Sequence, residues 1–387
     1  MAQPIKNKVK NGIVFTGIGW SYVLRIPDPV TGKTKPKWVG GFESEKLAKI
    51  ARDKARVAIA NRDYATPGKL TVGDFLQTWI EIHATRLKPT TAHKYRQLMR
   101  LYLLPHFGAI KLTDLRPTHI EKFYGALLTS PGISGKQLAP STISQCGAIL
   151  KKALKYAVEV EGLLAFNPAS RVPLPKGNRT TTTPWNMDEL NRFLEVASHH
   201  RLSFFFRLSA FTGARRGELL ALRWSDFDGK SIFISKSRLE VGGQAIEQQT
   251  TKGGKNGQRR VVLDGDTIDL FNAHRKKQLE ERLSMGALWH DLDFIFTQEN
   301  GLPLDPGTPS HLFGKLIKQA ELREVRLHDL RHLHATELLR LGEQLHVVAQ
   351  RLGHRDAMVT ATIYAHVSNE QDETASQKFA DASKRAI

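Results

Sequence analysis

Thr212-Gly213-Ala214-Arg215-Arg216-Gly217-Glu218-Leu219-Leu220-Ala221-Leu222-Arg223-Trp224-Ser225-Asp226 is the stretch whose reading decides the fold. A tight turn at its start precedes a short amphipathic helix that opens near Arg215. Glu218 follows three residues on and shares a helix face with Arg215, where a carboxylate can orient a guanidinium. A plain structural Arg–Glu pair is the alternative. Downstream, Ser231-Ile232-Phe233-Ile234 and Arg259-Arg260-Val261-Val262-Leu263 flank Thr251-Lys252-Gly253-Gly254-Lys255-Asn256-Gly257. This reads as strand, long flexible turn, strand. The turn lacks the G-x-x-x-x-G-K-[ST] pattern of a phosphate-cradling loop.

Two further patches carry chemistry. In Arg326-Leu327-His328-Asp329-Leu330-Arg331-His332 a helix puts His328 and Arg331 on one face. His328 and His332 also share a face, but no H-E-x-x-H pattern or nearby Cys completes a metal site, and Arg331 would repel a cation. Leu352-Gly353-His354-Arg355-Asp356 then leads to Thr360-Ala361-Thr362-Ile363-Tyr364-Ala365-His366. These groups meet one chemical need. Two always-charged arginines can hold the extra negative charge of a phosphodiester transition state. A tyrosine hydroxyl can attack phosphorus, and a lysine or histidine can protonate the leaving oxygen. No ATP is needed when one phosphodiester is exchanged for another.

With these residues the chain resembles the tyrosine recombinases, and among them the phage-type integrases. The resemblance rests on T-G-x-R-x-x-E-L-L-x-L-R-W-x-D at 212–226, T-K at 251–252 with R-x-V-x-L at 259–263, H-x-L-R-H at 328–332, and L-G-H…T…Y-x-H at 352–366. It implies that Arg215 and Arg331 bind the scissile phosphate and that Lys252 is the acid toward the 5′-hydroxyl, with Lys255 as a rival on the same turn. It implies that His328 binds phosphate and assists proton handling, that His354 hydrogen-bonds a nonbridging oxygen, and that Tyr364 forms a 3′-phosphotyrosyl link. Glu218 takes an orienting role. The family acts as a homotetramer on two DNA sites, through a Holliday junction, with no cofactor or metal required. Accessory partners would be a DNA-bending host factor and an excisionase. Resolution, inversion or transposition by a tyrosine recombinase, a type IB topoisomerase and a non-catalytic DNA-binding regulator are the competing readings.

Upstream of this block the chain reads as two smaller modules. Residues 71–170 hold short helices with apolar faces: Phe75, Leu76, Trp79 and Ile80; Tyr95, Leu98 and Tyr102; Ile120, Phe123, Tyr124 and Leu127; Ile143, Cys146, Ile149, Leu150, Leu154 and Ala157. Cys146, on an apolar stripe, reads as a buried structural thiol. Arg96, Arg100, Lys151 and Lys152 are candidate phosphate contacts. Residues 171–184, rich in Pro, Gly and Thr, read as a linker. Asn186, with Glu189 three positions on, is a helix-start signature that opens a catalytic domain over 185–369, followed by a tail at 370–387 in which Phe379 is the natural docking residue.

The first module, 1–66, reads as a few strands covered by one helix, with Leu47, Ile50, Ala51 and Val57 on the helix's apolar face and Trp20 and Trp38 in a small core. It resembles the arm-binding domain of integrases. Residues 1–70 carry 14 Lys or Arg against 5 Asp or Glu, of a whole-chain 57 against 38. That concentrates the positive charge in an arm-type unit with Arg25, Lys33, Lys35 and Lys37 as candidate DNA contacts. The fold class expected is multidomain and mainly α with small β-sheets: an α/β arm-type domain, an all-helical core-binding domain and a mixed α+β catalytic domain. The partner is double-stranded DNA with core-type and arm-type sites. A single Cys in 387 residues excludes a disulfide framework. Mean hydropathy of -0.34 and the absence of a long apolar run argue against a membrane span. No signal peptide is visible at the basic N-terminus, so the expected location is cytoplasmic, at the nucleoid.

Overall fold

Alternation of apolar and polar residues makes the first element a sheet. A computed structural model describes residues 12–16, 19–27, 34–60, 70–129, 137–175, 184–249 and 257–354, leaving the side chains of 26, 27, 35, 37 and 58–60 aside. Strands β1 (Ile13–Phe15), β2 (Trp20–Pro27) and β3 (Thr34–Phe42) form an antiparallel sheet in that order. Helix α1 (Glu45–Ala60) packs on one face of it. Tyr22 and Leu24 point toward α1 and bury there with Ile13, Ala48 and Ala55.

Two expectations change here. Ala48 and Ala55, flanking buried Arg52, form the inner face of α1, whereas Leu47, Ile50 and Val57 are exposed. Small side chains let the helix approach a sheet that already supplies the bulk. Trp20 is packed against the core, but Trp38 is 54% exposed. Trp38 pairs with Val23, one step out of phase with the inward Tyr22–Val39 pair, so it stands on the opposite face of the sheet.

Thr71 caps helix α2 (Val72–Ala84): its hydroxyl accepts from the Asp74 N–H at 3.1 Å, and the Asp74 carboxylate accepts from the Thr71 N–H. Helix α3 (Pro89–Leu98) runs through a wider π turn at Met99–Leu103 into α4 (Leu104–Phe107). Helices α5 (Pro117–Thr129) and α6 (Pro140–Glu159) complete a second core with α2, centred on Trp79, Leu103, Phe107, Ile120 and Leu150. Cys146 is fully buried in it, and burial pushes its thiol up to about 11. Val172 belongs to the same core, and Ser144 donates to the Pro175 carbonyl, so residues 172–175 lie against this module.

The chain divides into two compact units, Met1–Arg179 and Thr180–Ile387. The second opens on α7 (Met187–Ala197), where Asn186 and Glu189 exchange the expected capping hydrogen bonds at 2.8 Å each. Helices α8 (Ser203–Thr212), α9 (Arg216–Leu219), α10 (Gly265–Met285), α11 (Thr308–Gln319), α12 (Asp329–Arg340) and α13 (Leu345–Leu352) surround small antiparallel pairs of strands. Strand β4 (Ser231–Ile234) pairs with β7 (Arg259–Val262). Between them, ahead of the turn expected at 251–257, lies a hairpin that the sequence reading left out, β5 (Ser237–Val241) with β6 (Gln244–Gln248). Gly242 and Gly243 close it with φ of 62° and 81°, the left-handed pair that a two-residue hairpin turn demands. An aromatic core of Trp185, Phe193, Phe205, Phe206, Phe271, Phe296 and Phe313 holds the unit together.

Candidate active site

The first arginine is positioned by the end of one helix and the start of the next. Gly213 terminates α8 in the left-handed region at φ 62°, and Arg215 returns to extended backbone. At the third position of α9, Glu218 accepts the Arg215 backbone N–H at 3.0 Å and its Nη1 at 2.7 Å. The tandem arginines then diverge. Arg216 donates to Ser310 Oγ on α11 and belongs to the scaffold. Gly217 allows α9 to meet β5: a Cβ there would lie 2.6 Å from Ser237 Oγ and 2.8 Å from the Arg238 carbonyl.

Arg331, on α12, is 4% exposed and ties the distant segments together. Its Nη1 donates to the Gly213 carbonyl and its Nη2 to the Leu352 carbonyl, both at 2.7 Å. The latter is one of the carbonyls that a helix C-terminus leaves without an intrahelical partner. Gly353 follows in left-handed conformation at φ 66°, and the turn delivers His354. His328 stands at the start of α12, exposed at the rim, with the His332 ring 5.3 Å away.

The charge of the site is three guanidiniums around one carboxylate. Burial pushes the Glu218 carboxyl up, but Arg259 and Arg215 outweigh it and hold the group ionised below its ordinary range. Burial and then Arg215 press Arg331 down to about 9, still charged at neutral pH. Burial lowers His354 to about 4, with Arg331, Arg215 and Arg259 adding to the shift. Although His328 is exposed at the rim, partial burial of its ring, then His332, Arg331 and Arg215, bring it down to about 4. Both imidazoles are therefore neutral near pH 7, each with one donor and one acceptor nitrogen.

Thus Arg215, Glu218, His328, Arg331 and His354 come together. Lys252, its rival Lys255, Tyr364 and Phe379 lie outside the described residues, as does Lys33. Lys35 and Lys37 are placed on β3 by backbone alone. Arg25 is exposed on β2, and Arg100, Lys151 and Lys152 are exposed on the helical module. Arg96 is engaged with Glu81 at 3.2 Å in an exposed pair, which a phosphate can readily displace. Among the described residues no group of three or more His, Cys, Asp or Glu is arranged to hold a metal ion. No helix among them is long and apolar enough to cross a membrane.

Sequence reading gave Arg259 no role, yet it is 7% exposed and bonded to Glu218 at 2.9 Å. A signal was present. Strand β7 alternates buried and exposed residues, with Arg259 and Val261 inward, so a cation occupies an inward strand position and requires a partner.

Comparison with known proteins agrees with this architecture. Residues 181–371 match the phage integrase family, 71–128 a phage integrase N-terminal SAM-like domain, and 4–56 an arm DNA-binding domain. The chain is 28% identical over 396 residues to a XerC-like tyrosine recombinase of Caldanaerobacter subterraneus subsp. tengcongensis, covering 97% of this chain and 98% of that protein. It is 27% identical over 380 residues to the ICEBs1 integrase of Bacillus subtilis, covering 95% and 97%. Its fold resembles the Tn1549 transposon integrase in complex with transposon right end DNA, with a TM-score of 0.68 at 20% identity over 80% of this chain and 100% of that one. The mainly helical fold, the ordered sequence blocks and the matches along the chain make it a member of the phage integrase family of tyrosine recombinases.

Proposed function

We propose that the chain integrates and excises a phage-like mobile element by cleaving and rejoining DNA at specific sites. The observation that carries this reading is the convergence of Arg215 and Arg331 around Glu218, with neutral His328 and His354 beside them. Arg215 and Arg331 hold the nonbridging oxygens of the scissile phosphate, and His354 donates a further hydrogen bond there. Tyr364 attacks phosphorus, forming the 3′-phosphotyrosyl bond as the bond to the 5′-oxygen breaks. Lys252 protonates that oxygen, while His328 contacts the phosphate and receives the tyrosine proton. Rejoining reverses these transfers, with a 5′-hydroxyl as the nucleophile.

In this reading 1–66 binds arm-type sites and 71–170 binds core-type sites, joined through 171–184 to the catalytic domain at 185–369. The tail at 370–387 docks on a protomer of a homotetramer. A DNA-bending host factor and an excisionase set direction, and the protein works in the cytoplasm at the nucleoid. The match of residues 4–56 to an arm DNA-binding domain supports the arm assignment and favours integration over resolution at short sites.

A suicide DNA substrate tests the chemistry. Wild type is expected to trap a covalent protein–DNA adduct on a verified site, and Tyr364→Phe to trap none. Adduct from both proteins, or from neither, overturns the assignment of Tyr364. Recombination that needs separate arm sites supports integration, whereas full efficiency on core sites alone favours resolution or inversion.

A further inference from the structure

The geometry points to Arg259 as a positioning residue for the phosphate-binding arginine, Arg215, acting through Glu218. The inference rests on the phosphate-binding role proposed for Arg215. Arg259 opens β7 and turns its side chain inward, where it is 4% exposed. Its planar fork meets three different segments. Nη2 donates to Glu218 Oε2 at 2.9 Å, Nη1 to the Gly257 carbonyl at 3.2 Å, and Nε to the Arg351 carbonyl at 2.7 Å. Glu218 in turn takes Arg215 Nη1 on its other oxygen. The carboxylate is thereby fixed from both sides, and the Arg215 guanidinium takes its direction from it.

The same fork reaches the segments that flank the rest of the site. Gly257 follows the turn bearing Lys252, and Arg351 precedes Gly353 and His354. Gly353 lies directly on the guanidinium: a Cβ there would sit 2.8 Å from Arg259 Nη1 and 3.1 Å from Cδ. A lysine keeps the charge but is a compact point donor with no planar fork. It cannot serve the carboxylate and both carbonyls in these directions. The requirement is therefore for an arginine, not merely a cation.

The test is single-turnover cleavage by full-length Arg259→Lys and Arg259→Met, beside Arg215→Ala, on two suicide substrates. One carries the natural phosphodiester and the other a methylphosphonate, whose methyl group removes the charge that Arg215 would neutralise. Thermal melting and core-site binding report folding. Both Arg259 variants are expected to cleave the phosphodiester about 100-fold slower, the scale of losing one preorganised donor, and to recover about 10-fold or more of that deficit relative to wild type on the methylphosphonate. A purely structural defect would slow both substrates equally, and that result, or wild-type rates, overturns the proposal. Should neither Arg259 variant fold, Glu218→Gln carries the same expectation, and its failure to show the substrate-dependent deficit is equally decisive. Arg215→Ala separates the two levels. If its own deficit does not shrink on the methylphosphonate, the phosphate-binding role of Arg215 is wrong; if it shrinks while the Arg259 deficits do not, only the positioning role is wrong.

Discussion

Removing the carboxylate at the centre of the site should cost stability out of proportion to its size. Glu218 and Arg259 have side chains 1% and 4% exposed, so neither can turn to water when its partner is lost. Glu218→Ala leaves Arg259 charged inside the fold with only two carbonyls, and leaves Arg215 and Arg331 repelling it without an intervening anion. Breaking a buried pair from one side costs about 3–5 kcal/mol. For a unit the size of Thr180–Ile387, each kcal/mol moves the melting temperature by about 2–4 °C, so Tm should fall by about 6–20 °C. The comparison with Arg259→Met plus Glu218→Leu sharpens the reasoning. That double variant removes both charges, and Arg215, 20% exposed, keeps access to water. It should recover much of the loss, because desolvation of two ions no longer has to be offset. Thermal unfolding followed by circular dichroism at pH 7 measures both. A Glu218→Ala shift under about 2 °C, or a double variant worse than the sum of its parts, refutes the account.

Acid should destabilise the catalytic unit before it affects its carboxylates. Burial and Arg351 lower His334 from 6.5 to about 3, so the folded state resists protonation that the unfolded chain accepts. This contribution is full above pH 6.5 and is lost as pH falls from 6.5 toward 3; the loss amounts to about 2 kcal/mol by pH 5, read by urea unfolding across that range. A midpoint flat from pH 7 to 5 contradicts it. Gly213→Ala places a Cβ at φ 62°, 2.5 Å from Leu352 Cδ2 and 2.9 Å from His334 Cδ2. The left-handed backbone alone costs about 1–2 kcal/mol, and the shifted carbonyl loosens Arg331, so stability and cleavage rate should fall together; wild-type values for either would show that the turn is not constrained. DNA affinity should drop by about three orders of magnitude between 50 and 200 mM salt if six or more phosphates are neutralised, as a filter-binding titration would reveal.

Capping signals and motif order made much of this molecule legible beforehand. Asn186 with Glu189 acts locally, and local hydrogen bonds can be read from residues three positions apart. The pairing of Arg215 with Glu218 is of the same kind. The contacts of Arg331 with Gly213 and Leu352 are not local: the motifs suggested that these segments meet, but not that Arg331 joins them through backbone carbonyls. Arg259 escaped because its partner stands 41 residues away and its neighbours along β7 are ordinary strand residues. In α1 the helical period admits more than one face. Hydrophobicity favoured Leu47, Ile50 and Val57, whereas close approach to the sheet selected Ala48 and Ala55. The β5–β6 hairpin was signalled by Gly242-Gly243, a pair that the sequence reading left unused.

The two hydrogen bonds that fix Arg331 carry a wider consequence. A guanidinium locked onto Gly213 and Leu352 behaves as an immobile charge whose orientation is settled during folding, before any DNA arrives. In the proposed role of Arg331, little rearrangement then remains to be made at the moment of reaction. The fold meanwhile carries a desolvated cation beside Arg215 and Arg259 that a neutral side chain of similar shape would spare it. A neutral replacement would relieve that repulsion but leave two buried carbonyls without a donor, so the cohesion of the fold and the proposed phosphate binding draw on the same side chain.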